Sequence, residues 1–511
     1  MRLLAMLLLV GVLGAGQAHA FIPALLAYQT VLPGQSIQDA VDQAAPNGTI
    51  VIVGYHSEEN IYVDSAHTGL KIIGGKNAVI DGESTVTTSA VSHRNGSFIL
   101  EIAADNVVVQ GITFINADEH IIVSSHTNIL IKGNAFYNAY NTSISGSSDK
   151  VYILSNTFAG NYDVIDVESW DYESGPSAAT TPNILVQGNV IQGALYGVYV
   201  GSDDGWIVGN LVQDVAAGSG IYQYGNFGRV TGNVVSACGD PYDAFSQFGP
   251  SPNSVGSRCK KADPGTYAAI VSVNPSEGTS LISFNQVQNT MIGIAVLGTI
   301  DGSPTVVSNV VMRTFGLDTY YGGIVVDTDS SAASRKRKRR SSSGIATVQK
   351  NTAVNSMGFG LIVFAGDSTI SGNYVQNTLG ICVQGDFNAI TANTSVTSYF
   401  VGLEVEGFSN VLTSDVVNGC VDGIEVFGSA NKVAKCAVAN ATGEALQNQG
   451  SQTTVTGSSF SSTKNAVSND TNNGASFLLY SGNIPLGVAS GPGTGSSPWP
   501  LPKINPEISP E

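Results

Sequence analysis

The sequence predicts an all-β chain wound into a solenoid, and three observations predict it. A short apolar strand ending in Gly-Asn or Ser-Asn recurs along most of the 511 residues. The asparagines that close it are evenly spaced: 22 from Asn134 to Asn156, 21 from Asn189 to Asn210, 23 from Asn210 to Asn233 and 22 from Asn351 to Asn373. The repeats are built from Val, Ile, Thr, Gly and Asn, which favour strand and turn over helix. A leucine-rich repeat has a similar period but needs leucines at fixed places and a helical leg, which these segments lack. A coil of about 22 residues holds three short strands and three turns. Each coil then pairs with the next, so like residues stack and asparagines can form an amide ladder in the turns. On this reading the asparagines are architecture, not ligand-binding groups.

The elements follow in chain order. Residues 1–20 have a positive start at Arg2, an apolar run from Leu3 to Leu13 and Ala18-His19-Ala20, the pattern of a secretory signal with its cleavage site. The apolar run is too short to span a bilayer, and no later segment approaches that length without polar interruption. The expected protein is therefore secreted, extracellular or periplasmic, with no membrane span. Ser36 and Asp39 give a capping-box-like helix start. Ile37, Ala40, Val41 and Ala44 form an apolar stripe at helical spacing that suits an N-terminal capping helix over the solenoid's open end. Strands then recur at Asn128–Asn134, Val151–Asn156, Asn183–Asn189, Trp206–Asn210, Val230–Asn233, Leu281–Asn285, Thr305–Asn309, Thr347–Asn351, Thr369–Asn373 and Ile390–Asn393, and the closing position drifts to Asp415, Cys436 and Ser458. Gaps of 33, 52 and 42 residues between successive asparagines place loop insertions at 170–182, 236–266 and 329–344. The solenoid is expected over residues 21–465, with a C-terminal cover and a Pro/Gly-rich tail over 466–511.

These residues resemble a known group. With Ser36-Ile-Gln-Asp39 through Gly54, Leu70-Lys-Ile-Ile-Gly-Gly75 and Ala78-Val-Ile-Asp-Gly82, the chain is similar to the right-handed parallel β-helix superfamily, the pectate-lyase-like fold of carbohydrate-binding proteins and sugar hydrolases. The resemblance spans about residues 31–465 and implies a single-stranded right-handed parallel β-helix. It is specific for fold and weak for activity. Polygalacturonase-type hydrolases carry Asn-Thr-Asp, Asp-Asp, His-Gly and Arg-Ile-Lys, of which this chain has only Asp-Asp. Pectate-lyase-type enzymes need an arginine-rich strand, and here Arg94, Arg229, Arg258 and Arg313 stand in no such pattern. Mannuronan epimerases carry Asp-Pro-His, whereas this chain has Asp240-Pro-Tyr. No family's catalytic set carries over.

Charge narrows the partners. The formal net charge is −17, only 12% of residues are charged and 42% are hydrophobic, which excludes global disorder. Such acidity also argues against nucleic acid, which needs a basic face. The one basic run, Arg335–Arg340 with Arg337, Lys338, Arg339 and Arg340 at its end, reads as a processing site in a Ser-flanked loop. Of five cysteines, Cys238 and Cys259 flank one insertion and are the disulfide candidate, while Cys382, Cys420 and Cys436 lie in regular segments.

Outward residues at one register of successive coils make a continuous face. If Ile165 and Val167 point inward, Asp166 and Glu168 point out beside Tyr199 and Tyr222. Asp163, Asp166, Glu168, Asp203 and Asp204 are the candidate acid, base or cation ligands; His120, Trp170, Tyr199, Tyr222 and Tyr224 would line sugar subsites. Carboxylates one or two coils apart fall at about 5–10 Å, the separations that glycosidases use. The plain alternatives are a solvated acidic face and, for Asp203-Asp204-Gly205, an ordinary turn. The function expected is action on a linear extracellular polysaccharide as a glycoside hydrolase or polysaccharide lyase, by a monomer. No cofactor is required, though Ca2+ could bind the carboxylates. The alternative is a non-catalytic, carbohydrate-binding or adhesive solenoid.

Overall fold

The computed structural model describes residues 26–58, 60–82, 98–169, 183–216, 218–238, 268–274, 278–298, 302–315, 321–328, 344–470 and 474–486. The signal segment, Trp170, the basic run, Cys259, the side chain of Cys238, the tail from 487 and nearly all of the three insertions lie outside them. The chain is an all-β parallel solenoid of about 16 coils, each of about 22 residues. Each coil contributes one strand to each of three parallel sheets. Thr157–Ala159 pairs with Val190–Ala194 in the first sheet, Asp163–Glu168 with Tyr196–Gly201 in the second, and Ile184–Gln187 with Gly205–Val208 in the third.

The turn chemistry explains the Gly-Asn repeat. The residue before each ladder position has a positive φ, as at Gly133 (63°), Gly188 (65°), Gly232 (67°) and even Phe284 (55°), a region that glycine enters without steric cost. The asparagine that follows is buried and bonds to its counterparts. Asn210 Nδ2 donates to Asn233 Oδ1 at 3.0 Å and to the Val186 carbonyl at 3.0 Å, while its main-chain N–H donates to the same Oδ1 at 2.9 Å. The same rung repeats from Asn134 to Asn393 and passes through Asp415, Cys436 and Ser458. Each rung satisfies main-chain groups that would otherwise be buried and unpaired.

The bore is filled by stacked Val, Ile and Leu, with Phe114, Phe136 and Phe158 in parallel at 5.1 and 4.8 Å between ring centroids. At the N-terminal end a helix, α1 (Ile37–Asp42), buries Ile37, Ala40 and Val41. Ser36 Oγ accepts from the Asp39 N–H, and Glu58 accepts from the main-chain N–H groups of Ile37 and Gln38 at 2.6 and 2.9 Å. Among the described residues no helix is long and apolar enough to cross a membrane.

Regular pairing continues beyond residue 465, with Ser459–Ser462 paired to Ile484–Leu486; the closing residues there are Gly482-Asn483, and Asn483 Oδ1 still accepts from the Ser458 N–H at 2.9 Å. Cys382 is disulfide-bonded, whereas Cys420 and Cys436 are free and buried. The candidate pair Cys238 and Cys259 falls outside the described side chains.

Candidate functional site

The candidate site lies on the outer face of the second sheet. In Asp163–Glu168, Ile165 and Val167 are buried in the bore while Asp166 and Glu168 reach solvent. Parallel register then builds three columns along the solenoid axis. One runs Glu119, Thr142, Asp163, Tyr196; the next Ile122, Ser145, Asp166, Tyr199, Tyr222; the third Ser124, Ser147, Glu168, Gly201, Tyr224. Neighbours within a column are about 4.8 Å apart, and alternate residues along a strand about 6.6 Å.

Hydrogen bonds and close packing hold these side chains. Glu119 accepts from Asn141 Nδ2 at 3.0 Å and Ser145 Oγ at 2.6 Å. The Tyr199 hydroxyl donates to Glu168 Oε1 at 3.3 Å, and its ring stacks on Tyr222 with centroids 5.4 Å apart. Gly201 makes this contact possible. A Cβ there would lie 3.0 Å from the Glu168 Cγ and 3.2 Å from the Tyr199 ring.

The carboxylates differ in proton affinity. Asp163 is pushed up to about 6 by partial burial and then by the charge of Asp166; its Oδ1 is buried without a hydrogen-bond partner. Asp166 is also raised, by loss of hydration and by the charges of Glu168 and Glu119. Burial, then the charge and hydrogen bond of Glu168, drives the Tyr199 phenol further above its ordinary value. That hydroxyl is a donor, not a base. A carboxyl of raised proton affinity beside other carboxyls suits Asp163 to general-acid work.

No protein-family model and no curated protein matches the chain. Among solved structures it is similar to a PL6 alginate lyase in complex with a trisaccharide (12% identity, 77% of this chain and 80% of that one, TM-score 0.41). It is also similar to a GH87 α-1,3-glucanase from Streptomyces thermodiastaticus (13% identity, 91% and 67%, TM-score 0.30) and to PfbA, a surface adhesin of Streptococcus pneumoniae (10%, 84% and 88%, 0.28). At such TM-scores the reading of the site rests on this chain's own geometry.

The structure redistributes the expected residues. Asp163, Asp166, Glu168, Tyr199, Tyr222 and Tyr224 share the face. His120 does not. It is fully buried, its ring 5.6 Å from Phe136 and 6.4 Å from Phe114, and burial lowers it to about 3. Strand alternation fails at that corner, where His120 and Ile121 both turn inward after Glu119. Asp203 and Asp204 are buried in the turn after Tyr196–Gly201. Asp203 Oδ1 accepts from the Asn226 N–H at 2.7 Å, and Asp204 has φ 58°; these two shape the turn. Glu119 is the residue that sequence reasoning left out of the catalytic set, although its spacing to Asp163 spans two coils. Among the described residues no group of three or more His, Cys, Asp or Glu could hold a metal ion.

The open face ends at Tyr222. Its column continues as Val271, Ala295, Val325, Ile362, Cys382, Glu404 and Glu425, and each is at most 1% exposed.

Proposed function

We propose that this protein is a secreted glycoside hydrolase that cleaves a polysaccharide bound over the strip of Glu119, Asp163, Asp166 and Glu168. The observation that carries the reading is the set of carboxyls on one face, with a buried, unpartnered oxygen on Asp163 and raised proton affinity there, beside the stacked pair Tyr199 and Tyr222. Asp163 donates its proton to the glycosidic oxygen as the bond to the anomeric carbon breaks. Asp166, as the base, takes a proton from the water that attacks that carbon. Glu168 holds Tyr199, and Tyr199, Tyr222 and Tyr224 offer ring faces to sugars. The disulfide of Cys382 supports an oxidising, exported location.

A product assay tests this. The full chain is incubated with neutral and uronic-acid polysaccharides, and reducing ends and unsaturated ends are scored separately. Reducing ends without unsaturation are expected, and Asp163→Asn should slow their release by roughly 10²–10⁴-fold. Unsaturated ends would replace the hydrolase by a lyase. Binding without products would make this an adhesive solenoid.

A further inference from the structure

A second set of tyrosines lies along the edge of the strip, at the corner between the first and second sheets. Tyr140, Tyr162 and Tyr196 are 49%, 47% and 44% exposed. They occupy consecutive coils. Tyr140 is followed 22 residues later by Tyr162, with the Tyr162 N–H donating to the Ala139 carbonyl at 2.9 Å. The Tyr196 N–H donates in turn to the Tyr162 carbonyl at 3.0 Å, and the two rings meet at 6.0 Å between centroids, tilted by 58°. Tyr196 also stands in register with Asp163, so this row borders the acidic strip directly.

Local backbone keeps the last ring in place. A Cβ on Gly218 would come within 2.4 Å of the Tyr196 ring, so only a glycine in the next coil lets that ring lie there. Three half-exposed tyrosines on consecutive coils, two with rings in contact, are not a packing requirement of the bore, and exposed aromatic surface of this kind suits binding. Tyr199 and Tyr222 form a second row, and it too runs from coil to coil.

We propose that Tyr140, Tyr162 and Tyr196 form a sugar-stacking row that holds an uncharged polysaccharide along the solenoid axis, beside the carboxylates. The inference rests on the hydrolase reading for its ligand class. Two aromatic rows with one direction fix the direction of the bound chain. Charge fixes its kind: a polyuronate laid along either row would meet Glu119, Asp163, Asp166 and Glu168 at short range, and like charges repel. A neutral glycan offers apolar ring faces to the tyrosines and hydroxyls to the carboxylates.

Affinity electrophoresis of the full chain tests the row, in native gels containing mixed-linkage β-glucan, galactomannan or pullulan, with alginate and polygalacturonate as anionic comparators. The expected result is retardation by a neutral polymer and not by the anionic ones. Tyr162→Ala and Tyr140→Ala should each weaken it on the order of tenfold, while Tyr162→Phe retains it because the ring face remains. Unchanged retardation in both alanine variants overturns the row, as does retardation by the anionic polymers alone or by none. Turnover of a neutral glycan with wild-type KM in Tyr162→Ala removes the row and leaves the hydrolase standing. Retardation lost in the alanine variants of a protein with no turnover removes the hydrolase and leaves the row.

Discussion

Asp415 occupies the place that asparagine holds in the preceding rungs, and the difference of one atom has consequences. Its Oδ1 accepts from the N–H and Nδ2 of Asn393 at 2.9 and 3.0 Å, as an asparagine oxygen would. In the other rungs Nδ2 also donates to a main-chain carbonyl, as Asn393 Nδ2 does to Ile370 at 3.0 Å; a carboxyl can do that only when protonated. Burial accordingly pushes Asp415 up to about 7 from 3.8. The unfolded chain releases this proton first, so stability falls as pH rises from about 4 to 7 and the loss is complete above that. Asp415→Asn should therefore raise the midpoint of urea unfolding at pH 8, by up to roughly 4 kcal/mol, and change it little at pH 4. An equal gain at both pH values would show that the ladder, not the charge, is responsible.

A rung of the ladder is a joint between coils, and its strength is set by how many main-chain groups depend on it. Asn233 accepts from the N–H and Nδ2 of Asn210 and donates to the Ile207 carbonyl and to Asn285. Asn233→Ala leaves the Asn210 N–H and the Ile207 carbonyl buried without these partners, at about 1–3 kcal/mol each. Chemical denaturation should show a loss of about 2–5 kcal/mol, against less than 1 kcal/mol for an exposed substitution such as Phe284→Ser. This element was legible in the sequence for a physical reason. A ladder residue touches its own copy one coil on, so its identity must repeat at the coil period. The face of Asp166 and Glu168 was legible because alternation holds from Ile165 to Glu168. The corners were not: at Glu119–Ile121 the strand bends and alternation fails, at Asp203–Asp204 the chain turns, and nothing local says which side chain goes inward.

Across the molecule, the second sheet carries two surfaces. From Glu119 to Tyr224 its outer side chains meet solvent in part, whereas the middle column from Val271 to Glu425 is buried, with Ala268, Phe359, Ile362 and Cys382 in a second apolar cluster. Cys382 in that buried region is disulfide-bonded. Reduction should lower Tm by several degrees, consistent with roughly 2–4 kcal/mol for a disulfide. Cys382→Ser should show the lower value without reductant, and a Cys420→Ala/Cys436→Ala variant should respond to reductant as wild type does. An unchanged Tm in Cys382→Ser would remove that bond from the account of stability. Repetition made the solenoid, its period and its asparagine ladder readable from the residues alone, because each coil's neighbours are copies of itself. Tertiary structure alone decided which outward residues remain open to a ligand. His120 went to the bore, Asp203 and Asp204 to a turn, and Glu404 and Glu425 beneath cover, because each depends on corner geometry or on contacts that no single repeat contains.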